Sequence, residues 1–223
     1  MGIGIACDEG VVVLTDSIMR SDSGPDAPTV VNLRRGFQWL PAARLAVVAS
    51  GSFPQGAVDE ACAQLHNESN PDQAGAELFL HLVAAMRDGI DSVREWMPPE
   101  QLANSSATGP HLLCGGGLVG EVPRLWRFTP LLGCESATPA VFTVGSFSNT
   151  WAARNGLEKE TPPSGLKACA ALALQWARAA TSDLYKGRTL SAFLAENLVP
   201  TWSAPYHIAS ITAENCTEEL YYQ

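Results

Sequence analysis

The sequence is short of positive charge. Fourteen Lys and Arg stand against twenty-three Asp and Glu, giving a net charge of −9. Phosphate backbones are bound through basic faces, so nucleic acid is excluded as a partner. Long apolar runs are also missing. None approaches the ~20 residues that span a bilayer, so no transmembrane helix is expected. The N-terminus has no basic region followed by an apolar core. No secretory signal is therefore expected, the mature chain is expected to begin at Met1 or Gly2, and the cytoplasm is the expected compartment. The six cysteines (Cys7, Cys62, Cys114, Cys134, Cys169, Cys216) form no CxxC pair. They read as buried, reduced thiols. The four histidines (His66, His81, His111, His207) stand far apart without a metal-binding pattern, so neither a metal nor a cofactor is expected. The run Gly115-Gly116-Gly117 lacks the Lys-Ser/Thr of a phosphate-binding loop, and no helix opens after it; it reads as close backbone packing inside a sheet. Internal repeats and low-complexity segments are absent.

What is present is a chain built to fold around an interior. Hydrophobic residues make up 46% and charged residues 17% of 223 residues, enough for one domain over 1–223 with a sizeable core. Residues 3–7 and 11–17 read as strands around an Asp8-Glu9-Gly10 turn, a strong hairpin signal. Strands at 30–40 and 44–50 follow, and four strands in a row predict one antiparallel sheet. Ser52 with Gln55 three residues on fits a capping box, and Val58, Ala61, Cys62 and Leu65 then share a helical face that ends at Asn67–Pro71. A longer helix over 72–96 carries Leu78, Leu82, Met86 and Ile90 at four-residue spacing.

Strands resume at His111–Val119 and Pro123–Thr129, then at Ala140–Val144. Asn149 caps a short helix ending near Gly156, and Ser164 caps a long one through Asp183. A helical piece at 190–198 precedes a final strand over 206–212. Strands grouped together and helices grouped in pairs mean α+β, and two sheets between helix layers would bury all of them.

The ordered set Gly10-Val-Val-Val-Leu-Thr-Asp16-Ser17, a basic strand, and Ser50-Gly51-Ser52 opening a helix resembles the proteasome-type N-terminal nucleophile hydrolases. These include proteasome β subunits, the bacterial protease HslV and the bacterial Anbu proteins. The Anbu-like resemblance extends through Gly115-Gly-Gly-Leu-Val-Gly-Glu-Val-Pro-Arg-Leu-Trp and Glu135-Ser-Ala-Thr-Pro-Ala-Val-Phe-Thr-Val-Gly. The resemblance implies a four-layer α-β-β-α sandwich of two antiparallel sheets and assembly into rings or ring-like stacks. A catalytic paralogue or a peptide substrate is the partner it implies.

The family's chemistry uses an N-terminal Thr, Ser or Cys whose own α-amine takes the hydroxyl or thiol proton. An Asp and a Lys set that amine's electrostatics, and a Gly N–H forms the oxyanion hole. By resemblance Asp16 is the Asp, Gly51 the oxyanion glycine, and Ser146 and Asp183 the supporting residues. The Lys position holds Arg34 or, in a shifted register, Asn32. The nucleophile is missing: its slot falls at Met1 or just before it, and Gly2 is no substitute. Cys7 could become N-terminal only by removing most of the first strand. Thr15 and Ser17 flank Asp16, but an internal hydroxyl needs a partner base, and no His is near in sequence. Arg keeps the charge of Lys without shedding its proton, and its planar fork suits bidentate pairing with Asp16. Three classes follow: a non-catalytic ring subunit, a proteasome-like peptidase with a different mature N-terminus, and a monomeric binding module on the same sandwich.

Overall fold

The structure is a computed structural model. It describes residues 2–16, 18–21, 30–33, 37–40, 42–50, 55–70, 73, 112–119, 122–129, 133–137, 140–144, 155–184 and 205–222. The expected helices over 72–96 and 190–198, and Ser52, lie outside this set, apart from Gln73.

The Asp8-Glu9 turn closes a hairpin between β1 (Gly2–Cys7) and β2 (Gly10–Asp16), in the register Cys7↔Gly10 to Gly2↔Thr15. Both strands are buried along their whole length, which is why they lack the polar alternation of a half-exposed strand. β10 (Ala140–Val144) pairs with β1, and β11 (Tyr206–Ile211) pairs with β2. β12 (Cys216–Tyr221) closes this five-stranded antiparallel sheet as an edge.

A second five-stranded antiparallel sheet runs β5 (Phe37–Leu40), β6 (Leu45–Ser50), β7 (Leu112–Val119), β8 (Val122–Thr129), β9 (Gly133–Ala137). β3 (Ile18–Ser21) and β4 (Val30–Leu33) form a separate two-stranded ribbon. The sequence expectation of one sheet from the first four strands is therefore corrected. The 30–40 segment is two strands, one pairing with Ile18–Ser21 and the other with β6. The two hairpins β1–β2 and β5–β6 lie in different sheets because each presents an apolar face that the other covers.

That inter-sheet core contains Ala6, Val11, Val13 and Ala209 from the first sheet with Phe37, Ala46, Val48 and Leu125 from the second. The opposite face of the first sheet offers Ile3, Ile5, Val12, Leu14 and Ile208 to α2 (Leu166–Leu184). Cys169, Ala173, Trp176, Ala177 and Ala180 recur at helical spacing and supply the buried stripe. α1 (Gln55–Gln64) touches β5, where the Gln38 amide donates to Asp59 Oδ1 at 2.6 Å.

Three further expectations change. The 206–212 strand is not the last, because β12 follows it. β12 carries Thr217, Glu218 and Glu219 as an exposed edge, and its polar composition hid it. Gly133–Ala137 is a strand of its own. The long helix starts at Leu166 with Gly165 at φ 100, so Ser164 is not the cap. The Leu166 N–H donates instead to Glu9 Oε2 at 3.0 Å, across 157 residues of sequence. A carboxylate there satisfies an orphan donor and complements the helix dipole.

Candidate functional site

Strand register brings several strand ends to one place. Gly2 opens β1, Asp16 ends β2, Val144 ends β10 and Tyr206 opens β11. Thr15 lies opposite both Gly2 and His207, Gly2 lies opposite Val144, and Asp16 lies opposite Tyr206. Directly paired residues share a face. Asp16 and Tyr206 therefore follow Leu14 and Ile208 on the side of α2, and Thr15 and His207 follow Val13 and Ala209 between the sheets.

On the α2 side the Asp16 side chain is 3% exposed. Burial pushes its carboxyl above the usual carboxylate range. A hydrogen bond from its own backbone N–H opposes the rise without cancelling it. Next to it the Tyr206 and Thr181 hydroxyls are 2.6 Å apart, and Thr181 Oγ1 lies 2.8 Å from the Ala177 carbonyl. The Thr181 proton goes to that carbonyl, so Tyr206 donates to Thr181. This chain of bonds ties β11 to the last turns of α2. Tyr206→Phe is expected to cost about 1 kcal/mol, and Tyr206→Phe with Thr181→Val no more than either alone; urea unfolding of the double-mutant cycle checks it.

Between the sheets, His207 makes an edge-on ring contact with Phe37, centroids 6.3 Å apart. Its Nδ1 lies 3.3 Å from Glu218 Oε1. Phe37 begins β5 and pairs with Val48, two residues before the end of β6. The ring contact thus brings the start of β5 and the end of β6 to the same end of the first sheet that carries Asp16. The register sets the Thr15 backbone opposite His207, whose Nδ1 faces Glu218. Thr15, however, is 2% exposed, and its hydroxyl donates to the Asp16 carbonyl at 3.2 Å.

Of the residues singled out from sequence, Asp16 is placed as described. Arg34, Gly51 and Ser146 lie outside the described residues. The described chain ends at Leu33, Ser50 and Val144 before them. Asp183 is in the last turn of α2, two residues beyond Thr181, with its side chain outside the description. Asn32 lies opposite Met19 in the β3–β4 ribbon.

Sequence reasoning passed over Tyr206, Thr181, His207 and Glu218. His207 meets Thr15 only because β2 pairs with β11, and no local pattern reports that pairing. Among the described residues no three His, Cys, Asp or Glu side chains group as a metal site, and no helix is long and apolar enough to cross a membrane. A groove of about 570 Å³ lies elsewhere, between the start of α2 and β12, lined by Leu166, Lys167, Ala170, Leu174, Thr217 and Tyr221.

The fold of two antiparallel sheets stacked face to face, with a helix on the outer face of the first, is shared with solved Anbu structures. Among solved structures the chain is similar to Anbu from Hyphomicrobium sp. strain MC1, with 16% identity, a TM-score of 0.57, and coverage of 98% of this chain and 86% of that one. It is also similar to Anbu, an ancestral β-subunit, from Yersinia bercovieri, with 18% identity, a TM-score of 0.56, and coverage of 97% and 86%. No protein-family model and no curated protein matches the sequence.

Proposed function

We infer that residues 1–223 form one proteasome-like domain, a four-layer α-β-β-α sandwich. It assembles with copies of itself into a ring or ring-like stack in the cytoplasm and does not perform N-terminal threonine proteolysis. The observation that carries this reading is the Asp16 end of the first sheet. A buried carboxylate ends β2 there, yet the Gly2 that opens β1 opposite Thr15 has neither a hydroxyl nor a thiol. Acyl transfer to a bare amine would end in a stable amide. The Anbu-like fold supports assembly as the retained role, with Arg34, Gly51, Ser146 and Asp183 as remnants of the family's site.

A second reading, residual peptide hydrolysis, draws on His207 opposite Thr15 and on Glu218 beside His207. One experiment separates the two. The purified protein is incubated with a peptide electrophile that reacts covalently with proteasome-type nucleophiles, then analysed by intact mass and peptide mapping. No specific adduct and a mass that begins at Met1 or Gly2 are expected. An adduct on a processed N-terminal residue or on Thr15 overturns the non-catalytic reading.

A further inference from the structure

At the other end of the β1–β2 hairpin, the fold brings two thiols together. Cys7 ends β1, and Cys169 lies in the first turn of α2, where its N–H donates to the Gly165 carbonyl at 3.1 Å. The two are 3% and 0% exposed and belong to the same packed cluster. The helix that carries Cys169 packs on the strand that carries Cys7, and Cys169 Sγ lies 3.3 Å from the Pro163 carbonyl.

The elements carrying them are held together on both sides of the pair. Glu9, two residues past Cys7, accepts the Leu166 N–H, and Gly10 packs against Ile211 and the Leu166 side chain. Neither Cys62 nor Cys216 belongs to this cluster.

We propose that Cys7 and Cys169 form a reversible intramolecular disulfide when the protein meets a peroxide, fastening the β1–β2 turn to the start of α2. The Cys7 sulfur attacks one peroxide oxygen, giving a sulfenic acid and one water. The Cys169 sulfur then attacks the sulfenic sulfur, the S–O bond breaks, and the departing hydroxide leaves as a second water with the Cys169 proton. Two thiols lose two electrons and two hydrogens, and hydrogen peroxide is reduced to two waters.

The order of steps follows from the surroundings. Burial first, then Cys7 and Glu9 nearby, push the Cys169 thiol up to about 12. The thiolate is the reacting form, so Cys169 meets an oxidant poorly and serves to close the bond. The exposed Asp8-Glu9 turn next to Cys7 provides the approach. The bridge would close a very long loop in the unfolded chain, the case in which a disulfide restricts the denatured ensemble most. In a reducing compartment such a bond is transient and signals oxidation. It would stiffen the hairpin whose far end carries Asp16.

The test uses the full-length protein treated with graded hydrogen peroxide, alkylated and digested without reductant. The expected result is a linked peptide pair containing Cys7 and Cys169, with a Tm about 10 °C above that of the reduced protein. Dithiothreitol should reverse both, and Cys7→Ser and Cys169→Ser should each abolish both. Linkage through Cys62, Cys114, Cys134 or Cys216 overturns the proposal. So does oxidation of Cys7 to a sulfinic acid without linkage, or failure of the linked pair to form. If either serine variant does not fold, the peptide map of the unsubstituted protein decides alone.

Discussion

Gly10→Ala is expected to lose about 3–5 kcal/mol of stability, or to leave no folded protein at all. Gly10 opens β2 at φ 156, a backbone conformation that L side chains rarely adopt. A Cβ there would overlap the carbonyl oxygen of Ile211 and lie 3.1 Å from its carbonyl carbon. Both are backbone atoms of the paired strand, so no rotamer change relieves the clash. β2 and β11 would have to part at the Val11↔Ile211 end of their ladder. The same ladder sets Thr15 against His207 and Asp16 against Tyr206, so the damage should spread to the candidate site. Urea unfolding checks the expectation. A midpoint equal to that of the unsubstituted protein would mean that the two strands are not as close as described.

Asp16→Asn is expected to stabilise the protein at neutral pH. The sign follows from the raised carboxyl of the folded state. A folded value above the unfolded one means that the folded protein binds the Asp16 proton more tightly than the unfolded chain does. The contribution of Asp16 to stability is then complete below the ordinary carboxylate value, about 3.9. It is lost as pH rises through the folded value. Asn titrates nowhere in this range, so the advantage of Asp16→Asn should be largest at neutral pH and fade on acidification toward pH 4. Urea midpoints from pH 4 to pH 8 measure it. A tight Asp16–Arg34 ion pair, the arrangement suggested by the sequence, predicts the opposite. It would hold the carboxyl low, and Asp16→Asn would destabilise most at neutral pH.

The hairpin that ends in Asp16 was legible in sequence because its signals are local. An Asp-Glu-Gly turn joins two apolar runs of strand length, and the pairing follows directly. α2 was legible for the same reason, through its Ala- and Leu-rich stripe from Cys169 to Ala180. What could not be read was set by contacts between distant segments. Nothing near residues 30–40 says that Val30–Leu33 pairs with Ile18–Ser21 while Phe37–Leu40 joins a different sheet. Glu9 reads as a turn residue, and only the folded chain turns it into the cap of a helix that begins at Leu166. β12 escaped because an edge strand carrying Thr217, Glu218 and Glu219 has no apolar alternation to report. Thr15 had no histidine near it in sequence, yet strand pairing sets His207 opposite it. The candidate site was thus half legible: the acid was visible from its place at a strand end, and its tyrosine and histidine neighbours were not.

The account turns on assembly. Native mass spectrometry of the full-length protein at micromolar concentration tests this most directly, since each protomer weighs 23.7 kDa. The account predicts a discrete species at a multiple of that mass, with a ring or ring-like outline in negative stain. A clean monomer would contradict it and favour a binding module on the same fold.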